Sequence, residues 1–377
     1  MRIINAKVYG EDGTFQNKEI FIDKDRITDN LTSDDECLDA TGLYAIPGLT
    51  DLHFHGCAGY DFCDGTHEAF EAIANYEAAN GITTICPATM SLPEEILSVI
   101  CENAATYESK SGALLIGINM EGPYLSVAKK GAQNEAYLRK PDLAMYSRLN
   151  ELSGNLIKIV DIAPEEEGAL EFISTISNDK VVSIAHTTAD YTTSMEAFHR
   201  GASHVTHLYN AMLPLGHREP GLIGAAFDTP ECKVELICDG IHIHPSVVRA
   251  TFQLFGKDRV ILISDSMMAT GLPNGIYSLG GQEVQVLDKK ATLTESGAIA
   301  GSATNLMECL QIAVKVMGIP LEVAIQSAAV NPAKEIGIYS DFGSITAGKV
   351  ANIVLLDQDL NVKAVIIKGK VFNHSDK

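Results

Sequence analysis

The sequence predicts an α/β protein: a (β/α)8 TIM-like barrel with a small β-sandwich domain formed by both chain termini. Three observations predict it. Short β-rich runs alternate with helical stretches eight times, the rhythm of strand–helix units that close into a barrel. Each chain end carries too few β runs to build a core alone. Five of the eight internal runs carry His, Glu or Asp at or next to their last residue, and barrels of this kind carry their chemistry at the carboxyl ends of the strands.

The internal runs are 49–55, 82–86, 114–121, 157–162, 181–186, 203–208, 234–238 and 260–265. The stretches between them carry helix signals. Thr66 is placed to cap a helix bearing Phe70, Ile73 and Ala74 that stops near Gly81. Ser91 and Pro93 open a second, with Ile96, Leu97 and Ile100 on one side, and Asp190 opens a third that carries Met195 and Phe198 before Gly201. The amino-terminal runs 3–9 and 19–22 flank an Asp12-Gly13 turn, and the carboxyl-terminal runs are 351–356 and 362–367. Residues 1–48 and 336–377 are expected to pair as one β-sandwich domain. The catalytic barrel then spans 49–335, with a glycine-rich β insertion near 275–300.

Composition narrows the function. The chain has 377 residues, 46% hydrophobic and 20% charged, enough apolar surface to exclude a disordered or fibrous protein. Its 28 Lys+Arg against 49 Asp+Glu give a net charge of −21. Such a balance argues against nucleic acid as a partner, because phosphate binders cluster Lys and Arg. A small anionic ligand would need a local cationic pocket. Apolar runs such as 260–263 fall far short of a ~20-residue membrane span. The amino terminus lacks the apolar stretch of a signal peptide, and eight scattered cysteines with no C-x-x-C pair fit reduced thiols in the cytoplasm. Cys57 and Cys63 read as packing.

The run ends carry the chemistry. The first ends in Asp51-Leu52-His53-Phe54-His55, the third in Glu121, the fifth in His186, the sixth in His207 and the eighth in Asp265. Alternation along a strand places His53 and His55 on one face and Leu52 and Phe54 on the other, so the imidazoles point into the barrel mouth and the apolar pair packs on the outer helices. Four imidazoles and two carboxylates on one rim need a partner for their charge, and a divalent cation supplies it. Nitrogen and oxygen ligands suit Zn²⁺ or Fe²⁺. Such an ion acidifies water and polarises a carbonyl, while Asp265 is the proton carrier, which points to hydrolysis of an amide-like bond. His67, His199, His204, His244 and His374 read as non-functional, His204 because its parity differs from that of His207.

The chain resembles the amidohydrolase superfamily and, more closely, its N-acetylglucosamine-6-phosphate deacetylase family. The resemblance is carried by Pro47-Gly48-Leu49-Thr50-Asp51-Leu52-His53-Phe54-His55-Gly56, Glu121-Gly122-Pro123-Tyr124 and Ala185-His186-Thr187. It continues through His207-Leu208-Tyr209-Asn210-Ala211-Met212, Arg218-Glu219-Pro220-Gly221, Asp239-Gly240-Ile241-His242, Ser264-Asp265 and Ala300-Gly301-Ser302. The resemblance implies Glu121, His186 and His207 as core metal ligands, His53 and His55 as a second-metal pair, and Asp265 as the catalytic acid/base. It implies one or two zinc or iron ions and an amino-sugar phosphate held by Asn210, the Ala211 backbone, Arg218 and His242. A homodimer is also implied, with Arg218 or His242 acting across the interface. Gln133 stands where some members carry a carbonyl-polarising His; it still donates a hydrogen bond but carries no charge. Alternative substrates are N-acetylgalactosamine 6-phosphate, or a cyclic amide or aminoacyl compound.

Overall fold

The structure, a computed structural model, describes residues 1–30 and 36–373; His374 lies outside the described residues. The eight internal runs form parallel strands: β1 (Leu49–Asp51), β2 (Ile82–Ile85), β3 (Ile118–Met120), β4 (Ile157–Ile162), β5 (Val181–Ile184), β6 (His204–Val205), β7 (Lys233–Ile237) and β8 (Val260–Ile263). They pair in two arcs. In one, β1 and Leu114–Leu115 flank β2; in the other, β3 to β8 pair in chain order. The run 114–121 thus supplies a strand to each arc and joins them. Across the other seam, Ser264 Oγ donates to Asp51 Oδ2 at 2.5 Å and the Asp265 N–H donates to the His53 carbonyl at 2.9 Å. The curled parallel sheet is consistent with the expected barrel.

Alternation separates two cores. Val160, Ile162, Val182, Ile184, Val234, Leu236, Val260 and Leu262 pack outward with the helices. Cys86, Ile159, Ile237, Ile261 and Ile263 fill the interior. Leu52 belongs to that interior cluster, while Phe54 joins the outer core. The outward position expected for Leu52 is therefore wrong. β1 ends at Asp51, the chain leaves the pleat there, and period-2 parity no longer holds beyond it.

Helix signals fare unevenly. Thr66 caps His67–Ala79 by accepting the Ala69 N–H at 3.1 Å, and Asp190 caps Tyr191–His199 by accepting that of Thr193 at 2.8 Å. The second helix, Glu94–Thr106, begins after Pro93 with no side-chain cap, so Ser91 does not open it. Its Leu97 and Ile100 are buried, but Ile96 is exposed.

The termini pair in one eight-stranded sheet rather than two separate sheets; its ordered path runs Lys370–Val371, Val362–Ile367, Ile353–Leu356, Tyr44–Pro47, Arg2–Tyr9, Phe15–Asp23, Arg26–Thr28. The sheet curls: its far edge returns through an Arg26–Val350 bridge, so that Ile27 and Ile366 share one core. Ile336 joins the inward-facing cluster of the curled sheet, and Ile338 packs against it. An antiparallel sheet of Gly275–Leu279, Gln282–Leu287 and Lys290–Leu293 forms the insertion, and Gln282 Nε2 donates to the Ala132 carbonyl beside the barrel mouth.

Candidate active site

Apart from His55, each side chain of the site stands one or two residues past the last residue of its strand. His53 follows Asp51, Glu121 follows Met120, His186 follows Ile184, His207 follows Val205, and Asp265 follows Ile263. Leaving the ladder takes an unusual backbone. His186, His207 and Asp265 have φ of 44°, 29° and 50°, a left-handed region that non-glycine residues occupy at a cost of ~1–3 kcal/mol each and that clusters at functional sites. The same turn lets His204 and His207, three residues apart, both face inward, so their difference in parity is no argument against His204.

The structure brings His53, His55, Glu121, His186, His207 and Asp265 together. Glu121 Oε1 lies 3.1 Å from His186 Nε2 and 3.4 Å from both His207 Nε2 and His53 Nε2. The Nε2 atoms of His186 and His207 are 3.1 Å apart. His55 Nε2 is 3.4 Å from Glu121 Oε2 and 3.4 Å from Asp265 Oδ1, and His53 Nε2 is 3.8 Å from the same Asp265 oxygen.

The donor set fits a divalent ion. Glu121, His186 and His207 present three ligand atoms with mutual separations of 3.1–3.4 Å, and a tetrahedral site with ~2.0–2.1 Å bonds has edges of about 3.3 Å. His53, His55 and Asp265 form a second such group, and His53, Glu121 and Asp161 a third. His53 Nε2 is buried without a hydrogen-bond partner, an otherwise costly orphan. The ring of His186 is oriented for ligation: Nδ1–H donates to the Lys129 carbonyl at 2.8 Å, so Nε2 is the nitrogen left for an ion.

Charge compensation shows in the acidities. Burial would raise the Glu121 pKa, but the His53 charge and hydrogen bonds from His186 and His207 hold it well below the ordinary carboxylate range. Burial opposes ionisation of Asp265, and the hydrogen bond from His55 together with the charges of His53 and His55 outweighs it, so Asp265 stays ionised. Burial lowers the tendency of His53 and His55 to protonate, yet the surrounding carboxylates raise both. Asp161, on the inner face of β4, is pushed up to about 8 by burial despite the nearby His53.

These groups open on a cavity of about 410 Å³, lined among others by Gln133, Asn210, Ala211, His242, Lys129 and Ile299, within the range of small-ligand sites. Asp239 orients His242: its Oδ2 takes His242 Nδ1 at 2.7 Å, and its Oδ1 accepts the backbone N–H groups of Ile241 and His242. Gln133 lines the cavity and is already bonded within the protein, donating through Nε2 to Glu121 Oε2 at 2.7 Å and accepting the Ser91 N–H at 2.7 Å. Arg218 is exposed and does not line the cavity. His244 caps the helix Pro245–Phe255 by accepting the Ser246 N–H, in keeping with its non-functional reading.

Sequence reasoning missed Glu235 and Asp161, both fully buried on inward positions of β7 and β4. Their signal is a lone carboxylate inside an apolar run, Val234-Glu235-Leu236-Ile237 and Val160-Asp161-Ile162, since a buried charge needs a stated partner.

A curled parallel sheet with imidazoles and carboxylates converging past its strand ends is the arrangement of a metal-dependent hydrolase. The chain belongs to the amidohydrolase family, whose model matches residues 44–372. It is 35% identical over 332 residues to the N-acetylglucosamine-6-phosphate deacetylase of Bacillus subtilis (strain 168), a match covering 86% of this chain and 84% of that protein. It is 33% identical to the N-acetylgalactosamine-6-phosphate deacetylase of Escherichia coli O157:H7, with 86% of each covered. The crystal structure of N-acetyl-D-glucosamine-6-phosphate deacetylase from Mycobacterium smegmatis superposes with a TM-score of 0.91 at 32% identity, over 99% of this chain and 100% of that one. Among the described residues, no helix is long and apolar enough to cross a membrane.

Proposed function

We propose that this chain hydrolyses the acetamide of N-acetylglucosamine 6-phosphate to glucosamine 6-phosphate and acetate. The observation that carries the reading is the triangle of Glu121 Oε1, His186 Nε2 and His207 Nε2, with Asp265 beside it at the head of the cavity. Relatives with this activity share 30–35% of their residues with most of the chain. The scaffold is a (β/α)8 barrel over residues 49–335 with the terminal β domain of 1–48 and 336–377 beside it.

Glu121, His186 and His207 would hold a zinc or iron ion, and His53 and His55 with Asp265 would hold a second. The chemistry such an ion supplies is Lewis acidity, toward water and toward an amide carbonyl. The chain does the rest. Asp265, kept ionised by His55, accepts a proton from the attacking water as the new C–O bond forms at the acetyl carbon. It returns that proton to the nitrogen as the C–N bond breaks, so the amine leaves neutral and the acetyl group leaves as acetic acid with the water's oxygen and second proton, which it gives up to solvent to become acetate. Gln133 holds Oε2 of Glu121 and so keeps Oε1 toward His186 and His207. Asn210, the Ala211 backbone and His242 bind the sugar phosphate within the cavity. Arg218, absent from the cavity of one chain, reaches it from the second chain of a homodimer, where its planar fork suits phosphate.

A second reading, the galacto epimer as substrate, is favoured by the similarity to the Escherichia coli O157:H7 protein. Comparing kcat/KM for N-acetylglucosamine 6-phosphate, its galacto epimer and unphosphorylated N-acetylglucosamine tests both. The gluco phosphate should lead by tenfold or more. Equal rates with the unphosphorylated sugar would overturn the phosphate assignment, and a lead for the galacto compound would select the second reading.

A further inference from the structure

Beneath the metal-type groups runs a chain of polar residues that sequence patterning did not single out. Glu235, the third residue of β7, is fully buried. Its Oε2 lies 3.1 Å from His53 Nδ1 and accepts the backbone N–H of His207 at 3.0 Å. Its Oε1 pairs with His204 Nε2 at 3.2 Å, and His204 Nδ1 lies 2.9 Å from Glu335 Oε1. One carboxylate thus touches a side chain from the end of β1 and the backbone that carries a ligand past β6, while His204 links it to a half-buried glutamate.

We propose that Glu235 is the positioning residue of the metal centre, aiming His53 and His207 at once, with the His204–Glu335 pair as its strut. Three features argue for it. A carboxylate at Nδ1 places the proton of a neutral His53 on that nitrogen, so the Nε2 lone pair faces Glu121 and Asp265. A negative acceptor behind an imidazole also raises its basicity as a ligand. The hold on the His207 N–H pins the peptide whose φ of 29° turns that side chain back into the mouth. His204, fully buried between two carboxylates, carries the positive charge that keeps Glu235 from standing uncompensated; the pair raises its pKa to about 10 against the opposing effect of burial. Glu235 lines no part of the substrate cavity, so its influence runs through the ligands.

The inference rests on the metal reading above, and the experiment separates the two. Metal-free wild type, Glu235→Gln and His204→Asn are titrated with zinc chloride alone against a chromophoric chelator, after circular dichroism confirms folding. Glu235→Gln keeps an oxygen for His53 but removes the charge. Its zinc affinity should fall about 10–100-fold, kcat should fall with it, and KM should stay within about twofold. His204→Asn should weaken zinc in the same direction by several-fold, and it carries the test if Glu235→Gln does not fold. Wild-type zinc affinity in the folded variants overturns the positioning role alone. A wild type that takes up no zinc overturns the metal reading and this one together.

Discussion

Asp265→Asn isolates the proton carrier from the scaffold. Asparagine keeps the volume and tolerates the left-handed backbone (φ 50°) as well as aspartate does. The backbone bonds that hold the loop, Asp265 N–H to the His53 carbonyl at 2.9 Å and Ser302 N–H to the Asp265 carbonyl at 2.7 Å, do not involve the side chain. Only the carboxylate that sits 3.4 Å from His55 Nε2 and 3.8 Å from His53 Nε2 is lost. Glu121, His186 and His207 remain, so one ion should still bind. General acid–base catalysis contributes roughly 10²- to 10⁴-fold, or about 3–5.5 kcal/mol of barrier at 1.36 kcal/mol per decade. The assay is acetate release from N-acetylglucosamine 6-phosphate by protein whose metal content is measured by elemental analysis. Loss of kcat by that factor with at least one ion retained is the expected outcome. A variant that turns over within threefold of wild type would refute the assignment of Asp265.

Three further outcomes follow from the same geometry. On the proposed homodimer, Arg218→Ala and Asp265→Asn, each inactive alone, should recover about a quarter of wild-type activity when their chains are mixed and allowed to exchange, because a mixed dimer would contain one intact composite site; no recovery would overturn that arrangement. Glu77 is fully buried, and burial, with Asp51 alongside, pushes its pKa up to about 8. A carboxyl whose folded pKa is raised destabilises the fold increasingly as pH climbs from the unfolded value near 4.3 toward the folded one, so Glu77→Gln should gain stability relative to wild type between pH 5 and pH 8 in denaturant melts; a gain that shrinks with pH contradicts this. Thr66→Ala removes the cap on His67–Ala79 and should cost about 0.5–2 kcal/mol of stability while leaving kcat unchanged, as read by urea unfolding and the acetate assay.

Much of this architecture is legible in the chain. Eight parallel strands, the Thr66 and Asp190 caps, the pairing of the termini and the six residues that meet at the mouth all follow from apolar runs, capping chemistry and the residue types at run ends. What misleads is parity. The ladders stop two residues before His53, His186, His207 and Asp265, and beyond a ladder nothing enforces alternation; Leu52 therefore turns inward beside the histidine expected to oppose it. Glu235 and Asp161 escape notice because an apolar run hides a single carboxylate until the fold brings its partner from a strand it does not pair with, here His53 past β1 and Thr206 past β6. Loop residues are the least legible: Arg218 sits in a loop whose position depends on what packs against it, and Gln133 is fixed by Glu121 and Ser91, contacts with no sequence spacing to announce them.

Metal removal and return tests the central claim most directly. Wild-type protein is stripped with a chelator, dialysed and titrated with zinc chloride, while acetate release from N-acetylglucosamine 6-phosphate and bound metal are followed together. Activity should vanish on stripping and return in proportion to bound ion, with Glu121→Gln failing to recover it. Turnover by the stripped protein at the rate of the loaded one would contradict the account.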